Sequence, residues 1–299
     1  MLNRINQNLN YVVANQLDEL WGLFATTIGY QSFKSNLNYP PKQHPTSYWF
    51  NPKNGRVLQE YQLLYITSGE GIFESANCKS TKIVAGDVIF LFPGEWHNYQ
   101  PSKSKGWDEY WIGFKGDFVN TLFKNNFISK KNPIINIGFN EQIITLYKQG
   151  IEIASFQKTA YQHLLAGIIS HLIATICYIE KNNAFRDKEV VILIEKARLM
   201  MRANSEKNIT PKEIATSLNI SYSWFRRIFK QYTGFSPAQY QMEIKIQHSK
   251  DLLNSSTMSI KEISFALNFL SASYFVTFFK SKTGMSPSDY RIKVHGKNH

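Results

Sequence analysis

The chain has 299 residues, 43% of them hydrophobic, enough for two ordinary domains with real cores, and nothing in its composition marks it as disordered. The net charge of +12 is unevenly placed: residues 190–299 hold 16 Lys and Arg against 7 Asp and Glu, a balance of +9, whereas residues 1–189 hold 18 against 15, a balance of +3. Cys78 and Cys177 lie too far apart for a metal-binding spacing and suit a reducing cytoplasm. Asp18 and Glu19 stand where a signal peptide needs an apolar run, and the apolar stretch Leu164–Ile179, broken by His171, is expected to be too short to span a membrane.

Residues 50–115 read as short strands. "EYQLLYITSGEGIFES" is rich in β-formers, with Ser68-Gly69 and Gly71 as turn residues. "TKIVAGDVIFLFPGEWHNYQ" follows as an apolar strand pair split at Ala85-Gly86-Asp87, with a turn at Pro93-Gly94, a pattern that predicts a small barrel or sandwich. From about 140 to 181 the period becomes helical: Tyr161, Leu164, Leu165, Ile168, Ile169, Leu172, Ile173 and Ile176 predict one long helix with a wide apolar stripe. That stripe suits packing on its own barrel, pairing with a second copy, or both. The polar run at 181–190 reads as a linker, and everything after it as helical.

The helical part contains a repeat. "SYSWFRRIFKQYTGFSPAQY" (221–240) and "SASYFVTFFKSKTGMSPSDY" (271–290) agree at ten of twenty positions. In the first copy Thr210 and Glu213 form a capping box with Pro211 at the first helical position. Ser221 caps a second helix, Phe225, Ile228 and Phe229 share one face of it, and Gly234 ends it. Ser236-Pro237 starts the next helix. In the second copy Ser259 and Glu262, Ser271, Phe275, Phe278 and Phe279, Gly284 and Ser286-Pro287 repeat the plan. Two short helices joined by a tight turn, written twice, predict two helix-turn-helix units at about 210–233 and 259–283.

The kept letters are caps, core aromatics and stop glycines. The changed letters lie on the other face: Tyr222/Ala272, Trp224/Tyr274, Arg226/Val276 and Arg227/Thr277. A scaffold duplicated to read two different stretches of double-stranded DNA would vary there, because recognition helices place their early exposed side chains in the major groove. The predicted contact set is Ser221, Tyr222, Ser223, Arg226, Arg227 and Lys230 in the first unit and Ser271, Ala272, Ser273, Tyr274, Thr277 and Lys280 in the second. Arg can grip guanine with two hydrogen bonds, whereas Thr and Ala touch a thymine methyl or make one bond, so the first unit is expected to read more strongly. A helical protein-binding repeat is the competing reading.

Residues from about 191 to 293 resemble the DNA-binding domain of the AraC-type transcription regulators. The matching letters are "EIA" at 213–215, Ser221, Ser223, Phe225, Arg227 and "FK" at 229–230, "TG" and "SP" at 233–237, "EI" at 262–263, "SYF" at 273–275 and "FK", "TG", "SP" and Tyr290 beyond it. The second unit departs at Asn268, where the family usually has Gly, and at Thr277, where Arg is usual. Residues 1–120 are similar to the ligand-sensing cupin barrel of the arabinose-regulator branch, through "GDVIFLFPGEWHNYQP" (86–101) and "WDEYWIGF" (107–114).

The resemblance implies an α+β two-domain chain. A cupin-like barrel with a helical dimerisation segment would occupy 1–180, a linker 181–190, and an all-α double helix-turn-helix domain 191–293. By the same match His97, Tyr99, Glu109 and Trp111 would line an effector pocket, with Arg56 a looser fifth member. An aromatic plate plus charged donors and acceptors suits a sugar, whose ring has an apolar face and a rim of hydroxyls; the same aromatics would also serve as barrel core. No metal, cofactor or catalysis is expected, since His97 is followed by Asn98-Tyr99 rather than a second His, and His44, His163, His171 and His248 form no cluster.

The expected protein is a cytoplasmic, homodimeric, one-component regulator that binds operator DNA and a small effector, a carbohydrate for preference, with RNA polymerase as a further candidate partner and no membrane. A regulator of this family with no small-molecule ligand, controlled by a partner or by its own level, is the alternative, and a cupin enzyme with a helical tail a more distant one. Nothing in the sequence separates an activator from a repressor.

Overall fold

The structure, a computed structural model, describes residues 7–35, 54–183, 188–203 and 209–296, which fall into two compact units divided between Ala184 and Phe185. His44 lies outside the described residues.

The N-terminal unit is built on strands β1 (Gln7–Tyr11), β2 (Phe24–Phe33), β3 (Arg56–Val57), β4 (Tyr61–Ser75), β5 (Cys78–Val84), β6 (Asp87–Leu91), β7 (Trp96–Pro101), β8 (Trp107–Lys115) and β9 (Ile134–Asn136). All ladders are antiparallel. One sheet runs β1-β2-β8-β4-β6-β9, and a second holds β3, β7, β4 and β5. The two are joined by β4, whose first half pairs with β8 and β6 and whose second half pairs with β5 and β7. A register shift between Ile66 and Ser68, followed by Gly69 at φ 81°, lets one strand of 15 residues turn from sheet to sheet. Strands β1 and β2 add a flank to the barrel expected from residues 50–115.

Alternation along the strands separates two cores. On β8, Tyr110, Ile112 and Phe114 point outward with Leu63, Tyr65 and Phe90 into a core closed by helices, whereas Trp107 and Trp111 point inward with Leu64, Ile66, Phe73, Ile89 and Tyr99. Helices α1 (Gln16–Leu20) and α2 (Asp117–Lys124) decorate the barrel.

The single helix expected over 140–181 is two: α3 (Glu141–Phe156) and α4 (Tyr161–Asn183). Between them Gln157 and Ala160 both adopt positive φ, 42° and 60°, which no continuous helix allows. Both helices cover the outer face of the larger sheet. Tyr147 of α3 donates to the Leu63 carbonyl at 2.9 Å, and the buried Gln162 side chain of α4 bonds both the N–H and the C=O of Ala25, at 2.9 and 3.1 Å. At 23 residues α4 extends beyond the apolar stretch Leu164–Ile179 at both ends, and by length and composition it passes as a membrane span. Its inward face, including Leu165, Ile169, Leu172 and Ile176, is occupied by the barrel's outer core.

Helix α4 runs through Asn183 and α5 (Lys188–Ala203) begins five residues later, so both helices enter the stretch read as a linker; residues 184–187 lie outside the described residues. The C-terminal unit continues with α6 (Pro211–Ser217), α7 (Tyr222–Thr233), α8 (Pro237–Ser255), α9 (Ile260–Ala266), α10 (Ala272–Thr283) and α11 (Pro287–His295). Capping boxes close at Thr210/Glu213, Ser236/Gln239 and Ser259/Glu262, and Gly234 and Gly284 end α7 and α10 at φ 81°.

Candidate functional site

Inside the barrel, β3 sets Arg56 opposite His97 of β7. The Arg56 Nε–H faces His97 Nε2 at 3.3 Å, and Nη2 donates to the Tyr99 hydroxyl at 2.7 Å, with the guanidinium 5.5 Å from the Tyr99 ring centroid. His97 Nδ1 lies 3.1 Å from the Glu95 carbonyl, which only accepts, so that nitrogen carries the proton and Nε2 is left as the acceptor for Arg56. Burial, reinforced by the Arg56 charge, drives His97 down to about 3, so the imidazole is neutral at physiological pH.

Glu109 and Trp111 share the inward face of β8 with Trp107. Burial pushes the Glu109 carboxyl up to about 8, against the opposing pulls of Arg56 and of the Trp107 indole, so it is largely protonated at neutral pH and can donate as well as accept. Its Oε2 has no hydrogen-bond partner among the described residues. The Trp111 ring lies across β2 at Gly29, where an added Cβ would stand 2.5 Å from the indole; the missing side chain is what lets the ring lie there. Arg56, His97 and Tyr99 are thus in mutual contact, and Glu109 and Trp111 share their core.

Four further polar residues join them that the sequence reading missed. Tyr11 of β1 is pushed up to about 12, chiefly by burial, within reach of the charges of Arg56 and Glu60. Gln31 pairs with Glu109 across the β2–β8 ladder, and the buried Gln62 donates to Glu60 at 2.8 Å. The available signal was a Gln or Glu at an inward position of an otherwise apolar strand, as in "EYQLLYI". Among the described residues no group of three or more His, Cys, Asp or Glu is arranged to hold a metal ion.

In the helical unit the repeat is reproduced in space. Phe225 and Phe229 meet edge to face at 5.4 Å and Phe229 meets Tyr240 at 5.3 Å; Phe275, Phe279 and Tyr290 do the same at 5.7 and 5.5 Å. Tyr240 and Ile244 near the start of α8 pack into the first core, and Leu252 and Leu253 near its end into the second. The Ser221 side chain accepts from the Trp224 N–H and Ser271 from the Tyr274 N–H. Opposite the buried phenylalanines, Tyr222, Ser223, Arg226, Arg227 and Lys230 stand exposed on α7, as do Ser273, Tyr274, Thr277 and Lys280 on α10, while Ala272 is half-buried.

Asn219 and Asn268, in the two turns, take φ 55° and 51°, so the turn does require the left-handed conformation and both copies meet it with Asn. Lys245 of α8, which the sequence reading passed over, supports the second turn by donating to the Asn268 carbonyl at 3.0 Å and lying 5.5 Å from the Phe269 ring centroid.

Comparison with known proteins gives two family matches: an AraC-like ligand-binding domain over residues 42–185 and a helix-turn-helix domain over 214–293. The lactose operon transcription activator of Staphylococcus xylosus is 28% identical over 219 residues, covering 71% of this chain and 76% of its own. The raffinose operon transcriptional regulatory protein RafR of Pediococcus pentosaceus is 25% identical over 247 residues, 80% of this chain and 86% of its own. Among solved structures, a regulator with an AraC-type DNA-binding domain from Chromobacterium violaceum aligns at 26% identity over 36% of this chain and 95% of its own, with a TM-score of 0.34.

Proposed function

Since the chain belongs to the AraC-type transcription regulators, an AraC-like ligand-binding domain followed by a helix-turn-helix DNA-binding domain, we propose that its barrel binds a carbohydrate effector and that occupancy controls a carbohydrate operon. The observation that carries this reading is the composition of the barrel's inward face. A Trp111 ring laid over Gly29 provides an apolar plate, beside a protonated Glu109 carboxyl with an unpartnered oxygen and an Arg56–His97–Tyr99 chain. Such a set can stack on a sugar ring and bond its hydroxyls in both directions. The names of relatives tied to lactose and raffinose operons support the same class.

In this reading the exposed stripe of α4, with Leu164 at 61% and Tyr178 at 68% exposure on either side of Gly167 and His171, pairs two copies. The protein acts in the cytoplasm, and Ser221, Ser223, Arg226 and Arg227 enter a major groove, with RNA polymerase as the recipient of the signal. An effector shifts transcription only through different affinity for two arrangements of the dimer.

The test is thermal unfolding of the full chain against a panel of mono- and oligosaccharides and sugar acids, with Glu109→Gln and Trp111→Ala beside it. A sugar at about 100 times its Kd adds roughly 2.7 kcal/mol, and the shift should shrink in both variants. A panel that shifts nothing while the wild-type chain unfolds cooperatively would favour a regulator that answers to a partner or to its own level.

A further inference from the structure

The two helix-turn-helix units differ by one residue, and that residue is out of place for a folded protein. From Thr210 to Ser221 the chain advances 11 positions; from Ser259 to Ser271 it advances 12. The turns are otherwise in step. Asn219 N–H bonds the Thr216 carbonyl and Ile220 N–H the Ala215 carbonyl; Asn268 N–H bonds Phe265 and Phe269 N–H bonds Ser264. Ile220 and Phe269 are therefore equivalent, and each packs into its unit's core, Phe269 at 4.8 Å from the Phe275 ring.

In the first unit Ile220 is followed directly by the cap Ser221 and makes the usual apolar contact of a residue before an N-cap. In the second, Phe269 has taken that contact, and Leu270 is inserted between it and the cap Ser271. Leu270 is 91% exposed, the highest value of any large apolar side chain among the described residues. Folding gains nothing from it.

Its position is at the entrance of α10, beside the side chains expected to meet DNA. Those side chains carry no charge: Ser271, Ala272, Ser273 and Thr277 replace a first-unit set that includes Arg226 and Arg227, while Lys280 and Lys282 lie toward the far end of the helix. An apolar, uncharged tip with basic residues behind it suits one feature of the major groove. The thymine C5-methyl is the groove's apolar base group, displayed by T·A pairs and by no G·C pair. We propose that the second helix-turn-helix reads thymine through its C5-methyl, with Leu270 as the principal contact and the Ala272 and Thr277 methyls in support. This rests on the reading of the chain as a DNA-binding regulator, and it makes the operator bipartite: a guanine-bearing box for α7 and a thymine-bearing box for α10.

The test begins by selecting preferred sequences from a random duplex pool with the full-length protein. Each selected thymine is then replaced by deoxyuridine, which removes the methyl and keeps the pairing. Binding is measured for wild type, Leu270→Ala and, as an exposed apolar control on α9, Phe265→Ala. Loss of a contacted methyl should weaken wild-type binding roughly fourfold, the worth of burying about one carbon. Leu270→Ala should bind thymine DNA correspondingly more weakly and show little difference between thymine and deoxyuridine at the contacted position, while Phe265→Ala should keep the wild-type ratio. Because Leu270 lies outside both cores, an unchanged Tm is expected.

Equal binding to thymine and deoxyuridine throughout would overturn the proposal, as would a wild-type ratio in Leu270→Ala. Reduced promoter output in Leu270→Ala with that ratio intact would assign the residue to a protein partner instead, and also overturns it. Failure to enrich any sequence from the pool would strike at the DNA-binding reading itself.

Discussion

His97, Tyr99, Glu109 and Trp111 are buried inside the barrel with Arg56 half-buried beside them, where ionisation of His97 and Glu109 is costly. Ser223, Arg226, Arg227 and Lys230 stand on the outer face of α7, in water, held by a core to which they contribute little. The contrast matches the two kinds of partner proposed for them. A small ligand must be surrounded, so a receptor for one takes polar groups out of water, which leaves His97 and Glu109 neutral beside the charged Arg56. DNA is too large to surround and already charged, so its receptor keeps cations at the surface, where they can meet phosphates and base edges. The two regions should therefore respond to different perturbations: pH for the interior, truncation and salt for the exterior.

The largest expected effect is that of pH on the barrel. Glu109 is raised from 4.5 to about 8. Between those values the native state holds a proton that the unfolded chain has released, so its contribution falls as pH rises through that window and levels off above it. His97 is lowered from 6.5 to about 3, so its contribution rises with pH from about 3 to 6.5 and is constant beyond. The two slopes oppose each other between 4.5 and 6.5, and above 6.5 only the loss from Glu109 remains. Glu109→Gln should abolish the decline and gain on wild type by a few kcal/mol between pH 5 and pH 8, by the linkage of about 1.4 kcal/mol per pH unit. Chemical denaturation across that range checks it, and parallel curves for the two proteins would place a charged Glu109 in the core.

Next come the first-unit arginines. Arg226→Ala or Arg227→Ala should cost roughly 1–3 kcal/mol of DNA binding and relax preference at one base position, whereas Thr277→Ala should cost less. Quantitative binding to a selected operator and its single-base variants checks this, and none of the three should change the response of the barrel to any sugar found to stabilise it. A large, sequence-specific loss at Thr277 would reverse the ranking of the two helices.

Below these stand the caps. Ser221→Ala and Ser271→Ala each remove the acceptor for an N–H three residues on, worth about 1 kcal/mol of stability. Equal losses by urea denaturation are expected, because the scaffold is the same in both units even where the reading surface is not.

The helical unit was readable from sequence because its determinants are local: a cap, an aromatic three or four residues on, a glycine at the end. They act within a few residues of where they are written, and the duplication displayed them twice. The barrel's determinants are not local. Gln31 meets Glu109 only because β2 pairs with β8, and Tyr11 reaches the neighbourhood of Arg56 only because β1 joins that sheet. The motif letters for His97, Tyr99, Glu109 and Trp111 were visible, but the polar residues facing them from β1, β2 and β4 were not. The break between α3 and α4 was hidden for a different reason: Gln157 and Ala160 are ordinary helix formers, and their left-handed conformations come from packing both helices on one sheet. The extra residue at Leu270 was legible as a count, and what it meant required seeing that Phe269 had taken the core position.

The smallest effect concerns the one charged letter that the repeat kept besides its caps, core aromatics and glycines. Lys230 and Lys280 occupy equivalent places, exposed in the last turns of α7 and α10, while the residues around them changed. A cation near a helix C-terminus is worth a few tenths of a kcal/mol through the helix dipole, which would be reason enough to keep it. The alternative is that bases differ between two boxes and phosphates do not, so a residue that grips the backbone has no cause to change when the sequence being read does. The two explanations separate cleanly. A dipole role predicts lower stability for Lys230→Ala or Lys280→Ala and an unchanged salt dependence of DNA binding. A phosphate role predicts a loss that is uniform across operator variants, a log–log salt slope shallower by about 1 for each lysine, and convergence with wild type at high salt, where the released counterions no longer favour the complex. Titrations at several salt concentrations on one operator and one mismatched duplex measure all three, and equal behaviour of the two lysines would show that the units share a grip on the backbone while differing in what they read.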